Sequence, residues 1–436
     1  MMQLKNTYDV IVAGAGIAGI SAAVKAGSTG CSVLLIEHYP FLGGMSSAGM
    51  VSPFMKSMTG DKNLVNGIYK DLEKGMRQMG GMIDNGFYSW AFRSIANYLL
   101  AENNVDIAYN TDLIDVEVEQ QRIKSLVVAT PHGISKLYGK QFIDTTGDAQ
   151  MVVLGNFPWL KGDEKTGKLQ ALTLFFRMGG IDVEKTAEYT KQHKEDFLPW
   201  MDFQYDFSRI ISIAGYKGLI KTAKEEGRFP ADVDYVFFTT LPASGEGSFN
   251  TTNILGIDPS TSSALTQAEN LGHSQVAQIT DFLNRDVPGF ENAFLIDTAV
   301  QVGVRETRRA VAQYMMNGED IMKGSRFEDV VARGCYGIDI HGQKDESSRM
   351  ENLEEGAWYD IPLRSLRVKD SKNLMVAGRC IGATREGHAA LRIQPTASAT
   401  GEACGAAAAL AVLQNCDPDE IIYKTLRKHL KHNIED

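Results

Sequence analysis

The sequence predicts an α/β protein: a domain built on a parallel sheet with a β-meander, into which an α+β domain is inserted. Three observations carry this reading. A buried-type strand runs directly into a three-glycine turn and a helix near the start of the chain. A strand ending in glycine, followed by an alanine-rich helix, comes near its end. The segment between them changes character, mixing charged helical stretches with short apolar runs.

The opening unit reads Tyr8-Asp9-Val10-Ile11-Val12-Ala13-Gly14-Ala15-Gly16-Ile17-Ala18-Gly19. It continues through a helix to a second strand, Ser32-Val33-Leu34-Leu35-Ile36, with Glu37 at that strand's end. In this strand–turn–helix–strand–acid context each glycine has a mechanical role. Gly14 permits the tight turn, Gly16 lets a pyrophosphate approach the backbone, and Gly19 lets the helix pack close to the sheet. The helix N-terminus presents unpaired N–H groups and a positive dipole end to phosphates. Glu37 is placed to take ribose hydroxyls. The unit is Rossmann-like and dinucleotide-binding, the competing reading being a bare glycine-rich turn.

The loop after Glu37, residues 40–50, is dense in glycine and small residues, which leaves its backbone free to lie against a ligand. Apolar spacing predicts a helix over 91–102 and strands over 105–109, 113–119 and 123–129, the last two joined by a turn at Gln120-Gln121. Residues 140–148 read as a strand ending in the small polar turn Asp144-Thr145-Thr146-Gly147-Asp148. Strand-like runs at 172–178 and 235–240 and a helix over 263–283, stopped at Pro288-Gly289, fill the middle. The run Ala293-Phe294-Leu295-Ile296-Asp297 then resumes the core-strand style. Residues 1–155 and 286–436 are expected to form a discontinuous first domain and 156–285 an inserted substrate domain, with residues 49–90 a further candidate part of it. A tail helix from Asp417, capped and amphipathic, is expected to pack on the core.

Composition narrows the class. With 436 residues, 44% of them hydrophobic, the chain is long enough for two substantial cores. A net charge of −10 without a long basic run argues against nucleic acid and anionic membrane surfaces as partners. Five widely spread cysteines, with no Cys-x-x-Cys pair, argue against a disulfide framework, a zinc knuckle and a thioredoxin-type redox pair. No secretion signal precedes the first strand and no apolar stretch is expected to reach membrane-spanning length, so a cytoplasmic location is expected. His132, His193, His273, His341, His429 and His432 form no metal-ligand pattern and are read as surface or core residues; no metal is expected.

Near the far end, Asn373-Leu374-Met375-Val376-Ala377-Gly378-Arg379 reads as a strand ending in glycine, followed by a polar stretch over 380–388. Arg392-Ile393-Gln394-Pro395-Thr396 and a run of small residues over 397–413 come next. Pro395 suits the first turn of a helix. Small residues would let that helix sit very close to a neighbouring helix, sheet or ring. Its positive N-terminus, with Arg392 beside it, would stabilise an isoalloxazine that gathers negative charge on reduction. The alternative is an alanine-rich packing helix with solvated arginines.

Four segments together resemble the bacterial FAD-dependent oxidoreductases of the glutathione reductase-type Rossmann superfamily, related to the flavoprotein subunit of heterodisulfide reductase. They are Gly14 to Glu37 with Gly43-Gly44-Met45, the turn at residues 144–148, the stretch Gln301-Val302-Gly303-Val304-Arg305-Glu306-Thr307-Arg308-Arg309, and residues 376–405. The resemblance implies FAD as cofactor and a set of contacts. Gly14, Gly16, Ile17, Ala18 and Gly19 would hold the pyrophosphate and Glu37 the adenosine ribose. His38 follows at a position where many members carry a basic residue. The Gly43-Gly44-Met45 loop would pass the pyrophosphate and ribityl chain, and Leu113 would lie near the adenine. Thr146 and Gly147 match a small-residue turn beneath FAD. Gly378 and Arg379 match a strand end at the ribityl and pyrophosphate region, and Arg392 and Ile393 approach the flavin pyrimidine edge. The cysteine clusters of the iron–sulfur relatives are missing, so their electron-transfer chemistry does not carry over.

His388, Arg385 and Arg305 are the candidates for catalysis. His388 has a side chain suited to proton transfer near neutrality, or is a structural histidine. Arg385 and Arg305 can bind an anionic substrate group or polarise a carbonyl, pair with Glu386 or Glu306, or contact FAD phosphates. The expected function is an oxidoreductase that moves a hydride, two electrons, between a small organic substrate and non-covalently bound FAD, the electron acceptor being left open. The alternatives are an electron-transfer flavoprotein subunit of a larger complex and an NAD(P)-dependent dehydrogenase. A second glycine fingerprint and a redox cysteine pair are both missing, which disfavours the two-nucleotide disulfide reductases.

Overall fold

The computed structural model describes residues 5–435. Its first sheet grows outward from β1 (Thr7–Ala13), which is buried from Val10 to Ala13 as a central parallel strand covered on both faces must be. Helix α1 (Ile17–Gly27) leads to β2 (Val33–Ile36) and, further on, to β3 (Val105–Ala108). β4 (Asp112–Glu119), β5 (Arg122–Thr130) and β6 (Gly133–Asp144) form the meander. Gln120 and Gln121, with φ of 48° and 65°, make the expected turn between β4 and β5. Two successive positive φ angles match the twist of a two-residue hairpin.

The sheet order is β3-β2-β1-β6-β5-β4. β1 pairs in parallel with β2 and with β6, and β2 with β3. The meander pairs are antiparallel. β6 starts at Gly133, earlier than the expected 140, because its polar first half is the exposed arm that pairs with β5. Its buried second half then pairs in parallel with a strand from the far end of the chain, Leu374–Val376, with Phe142 opposite Leu374 and Asp144 opposite Val376. The first and last parts of the sequence therefore share one sheet.

A second sheet comprises β7 (Phe176–Gly179), β8 (Ser212–Gly215), β9 (Val236–Thr240), β10 (Gly247–Phe249) and β11 (Phe294–Thr298), in the order β8-β9-β10-β7-β11 and antiparallel throughout. The long helix α2 (Ser262–Asp286), capped by the Thr261 hydroxyl, lays Ala268, Gly272, Val276, Ile279 and Leu283 into the core of this domain. The run at 293–297, expected to fall in the first domain, instead pairs with β7 of the second sheet. A short apolar run does not reveal which sheet it joins; the pairing partner decides that. Only Phe176–Gly179 of the run at 172–178 is regular strand, while Leu172 and Thr173 make isolated bridges to Ile254 and Gly303.

The chain then passes through a short strand β12 (Ile338–Ile340), reaches β13 (Leu374–Val376), and ends in α3 (Arg385–Leu391), α4 (Gln394–Gln414) and α5 (Tyr423–Ile434). α4 is the helix expected from the alanine run, and it lies against α1. A Cβ on Gly401 would stand 2.1 Å from the Ala18 carbonyl oxygen, and one on Gly405 2.2 Å from that of Ala22. By length and composition alone α4 could cross a membrane, against the expectation that no stretch would, but here it is packed inside the fold. α5 begins at Tyr423, not at Asp417; the intervening residues form a turn closed by Glu420 N–H donating to the Asp417 carbonyl.

Candidate active site

The glycine turn after β1 is fixed by contacts that only glycine permits. Gly14 sits at φ +93°, and a Cβ there would lie 2.6 Å from the Thr145 carbonyl oxygen. Gly19 lies under the turn, where a Cβ would meet the Gly14 carbonyl oxygen at 1.8 Å. Thr145 at the end of β6 locks the arrangement, its hydroxyl donating to the carbonyls of Ala13 (2.8 Å) and Gly14 (2.7 Å). Gly16 is different: a Cβ there would meet nothing within 4 Å. The turn therefore presents bare backbone, at the N-terminus of α1, to open space.

That space is a cavity of about 260 Å³. Glu37 closes one side, its carboxylate accepting the N–H groups of Ala15 (2.6 Å) and Tyr39 (3.0 Å). His38 Nδ1 stands 3.1 Å from the same carboxylate, and this hydrogen bond raises the imidazole pKa. The Gly43-Gly44 loop runs beside the turn, Gly43 N–H donating to the Ala15 carbonyl at 2.8 Å. Opposite lies the 144–148 turn. The buried Asp144 carboxylate accepts from Thr146 N–H (3.0 Å), Thr146 hydroxyl (2.7 Å) and Met151 N–H (2.8 Å). The Cys380 sulfur accepts from Gly147 N–H at 3.1 Å. Arg379 crosses this turn to reach Asp148 at 3.1 Å and the Val304 carbonyl.

The predicted cofactor residues converge on this cavity. Gly14, Gly16, Ile17, Ala18, Glu37, His38, Gly43, Gly44, Met45, Leu113, Thr146, Gly147, Gly378, Arg379 and Arg392 all line it. Gly19 packs beneath it, and Ile393 lines a neighbouring cavity instead.

That second cavity, about 150 Å³, opens where the two sheets' domains meet. Met45, Arg379, Arg392 and Gln394 line both cavities. Gln394 is the first residue of α4, held by Ser46 hydroxyl (2.5 Å) and by its own donation to the Val51 carbonyl (2.7 Å). The positive end of the α4 dipole thus lies at the junction. Arg305 reaches the second cavity, with Nη1 on the Ala171 carbonyl at 2.7 Å and Nη2 3.5 Å from the Asn250 side-chain oxygen. Burial, and after it the charge of Arg392, bring its guanidinium down to about 10.

Sequence reasoning missed the other polar wall. β12 buries Ile338 and Ile340 and turns Asp339 to the opposite face, with His341 two residues on. Tyr336 hydroxyl donates to Asp339 Oδ2 at 3.0 Å, and Arg392 Nη2 donates to the Asp339 carbonyl at 3.0 Å and to Oδ2 at 3.3 Å. His341 Nε2 stands 3.4 Å from Oδ1. Burial alone would raise the Asp339 pKa, but the His341 contact and the Arg392 and Arg305 charges hold it well below the usual carboxylate range. Burial, then the Arg305 charge, push His341 down to about 4, so its imidazole is neutral at pH 7. The apolar–polar alternation of Ile338-Asp339-Ile340-His341 was the available signal.

Two of the three catalytic candidates lie elsewhere. His388 and Arg385, one turn apart on α3, point into the protein and line neither cavity. His388 Nε2 faces the Arg379 carbonyl at 3.1 Å, Nδ1 has no hydrogen-bond partner among the described residues, and burial drives its pKa well below the ordinary value. Arg385 grips Glu346 through both terminal nitrogens (2.5 and 2.9 Å), with Nε 3.5 Å from buried Glu306. Arg309 joins Glu306 from the other side at 3.0 Å. These groups form a buried ionic network behind the site.

Comparison with known proteins agrees with this architecture. Among solved structures, the flavin-dependent brominase Bmp2 matches with a TM-score of 0.52 at 13% identity, over 97% of this chain and 83% of that one. A geranylgeranyl bacteriochlorophyll reductase-like protein from Thermoplasma acidophilum gives 0.48 at 14% identity, over 98% and 83%. At 13% identity the likeness to Bmp2 concerns the fold alone. A 48-residue stretch is 49% identical to the NADH:fumarate oxidoreductase of Klebsiella pneumoniae (strain 342), covering 10% of this chain and only 5% of that protein. The family model described as FAD dependent oxidoreductase matches residues 9–430, almost the entire chain. The protein therefore belongs to the FAD dependent oxidoreductase family, a flavoenzyme with FAD as its cofactor.

Proposed function

We propose that this chain moves a hydride, two electrons, between a small organic substrate in the second cavity and non-covalently bound FAD in the first. The observation that carries this reading is the shared wall: Met45, Arg379, Arg392 and Gln394 belong to both cavities, so a ligand in one meets a ligand in the other. The first cavity suits FAD because the open space over Gly16 is where a pyrophosphate needs bare backbone, with Glu37 available for a ribose.

FAD, when bound, supplies the two-electron donor and acceptor chemistry. The chain supplies charge, position and a proton site. Arg392 and the N-terminal N–H groups of α4 bring positive potential to the junction, which favours the more negatively charged state of the cofactor. Phe175, Phe237, Val51 and Met55 keep the second cavity largely apolar and limit water there. Neutral His341, its Nε2 turned to Asp339, offers Nδ1 to receive a substrate proton. Asp339, tied to Tyr336 and Arg392, orients that imidazole.

The test is anaerobic mixing of the yellow holoprotein with a panel of organic acids, alcohols, sugars and amines, followed by partner-free turnover with an artificial electron acceptor. Bleaching by one class, with steady turnover, is expected. A flavin that no small molecule reduces, but that exchanges electrons with a protein partner, would overturn the reading in favour of an electron-transfer subunit.

A further inference from the structure

We propose that the second cavity takes a substrate bearing a single carboxylate, which seats on the Arg305 guanidinium. The proposal rests on the oxidoreductase reading above and names its substrate class.

Charge accounting around the cavity supports it. Six titratable residues line the space: Arg305, Arg379, Arg392, Asp339, His341 and Tyr336. Arg379 is matched by Asp148 at 3.1 Å, and Arg392 by Asp339 at 3.3 Å. His341 is neutral, and the Tyr336 hydroxyl is spent on Asp339. Glu306, next in sequence to Arg305, faces away into Arg309 and Arg385. Arg305 is left with a carbonyl and a distant amide oxygen, and pairs with no carboxylate among the described residues. A half-buried cation lining a cavity without a counter-ion is costly, and one positive charge over neutrality calls for one negative charge from a ligand.

Geometry sets the kind of anion. Nη1 of Arg305 is engaged by the Ala171 carbonyl, while among the described residues Nε donates to no acceptor and Nη2 has only the 3.5 Å contact with Asn250. That leaves the Nε–Nη2 edge, the fork that matches the two oxygens of a carboxylate. A second negative charge on the ligand would meet Asp339, which stays ionised across the same cavity. Dicarboxylates and phosphate are therefore disfavoured, and so are uncharged sugars and alcohols, which leave Arg305 uncompensated.

The holoenzyme's flavin absorbance reports occupancy without turnover. Propanoate, its neutral isostere propanamide and the dianion malonate are titrated in parallel. Propanoate is expected to perturb the spectrum saturably at about a hundredfold lower concentration than the other two. Arg305→Gln should weaken propanoate binding by about a hundredfold while retaining FAD, with Arg305→Lys recovering part of it. Should Arg305→Gln fold poorly, the three-probe comparison on the unaltered enzyme decides alone. Equal binding of propanoate and propanamide, tighter binding of malonate, or no perturbation by any probe overturns the carboxylate seat. Reduction of the flavin by an alcohol or sugar, with propanoate inert, overturns the seat and leaves the oxidoreductase reading standing. A flavin reduced by no member of the substrate panel overturns that reading itself.

Discussion

Replacing Gly401 with alanine sets two physical effects against each other, and the structure decides between them. Gly401 lies inside α4, where alanine is favoured over glycine by about 1 kcal/mol on helix propensity. The added Cβ, however, would stand 2.1 Å from the Ala18 carbonyl oxygen, where ordinary contact begins at 3.4 Å. The atom struck is backbone within α1 and has no rotamer to yield, so the helices must part by about 1 Å or more. Overpacking of this kind costs about 3 kcal/mol, the upper end of its usual range. The net expectation is a destabilisation of about 2 kcal/mol, which for a chain of this size lowers the melting temperature by about 2–3 °C. The assay is thermal release of FAD, followed by the rise in flavin fluorescence, with circular dichroism recorded alongside. Gly405→Ala, with its 2.2 Å approach to the Ala22 carbonyl, should behave alike. A melting temperature at or above that of the unaltered protein would refute the close-packed α1–α4 contact, because propensity alone would then have won.

Gly16→Val should leave the fold intact, since its Cβ meets nothing within 4 Å, yet abolish FAD retention; stoichiometric flavin in the purified variant would remove Gly16 from the pyrophosphate site. His341, at about 4, should give the flavin-reduction rate an acid limb near that pH and none near neutrality; Arg305→Gln, by removing a neighbouring positive charge, should move that limb upward, and an unmoved limb would exclude His341 as the proton acceptor. His388 has a folded pKa far below its unfolded value, so the unfolded chain takes up the extra proton. Its stabilising contribution is complete above the unfolded pKa of about 6.5 and is lost as pH falls toward the folded value. His388→Asn should therefore flatten the fall in melting temperature below about pH 6.5 and leave the reduction rate per bound FAD unchanged. A slowed rate with unaltered stability would return His388 to the chemistry.

The glycine turn, Glu37 and the small-residue helix were legible because each depends on local chemistry: a turn without room for a Cβ, an acid at a strand end, a helix that must approach another backbone. The second cavity was legible only in part. Arg305 drew attention as a cation in a distinctive stretch, but its surplus charge follows from where Glu306, Asp339 and Arg392 point, and no spacing rule gives that. Arg385 and His388 looked equally suited to chemistry because they sit in a polar stretch just ahead of α4. The Thr384 cap starts α3 so that both residues turn inward, a rotation of one short helix that sequence periodicity over so few residues cannot fix. Asp339 and His341 were passed over because a lone histidine carries little weight until a strand sets an aspartate beside it.

The contact between α1 and α4 also bears on how the chain is made. Ser21 and Ser398, whose hydroxyls lie 2.7 Å apart, are separated by 377 residues. On a ribosome α1 emerges well before α4, with the whole of the second sheet synthesised between them. Throughout that interval the glycine- and alanine-rich side of α1 has no permanent cover, and closing so long a loop comes late and slowly. The cavity beside the glycine turn, whose wall includes Arg379, Arg392 and Gln394, is thus completed only after the later segments are made. A nascent chain interrupted before residue 394 would hold the glycine turn against Thr145 and still have no helix to cover the Ala18 and Ala22 backbone of α1.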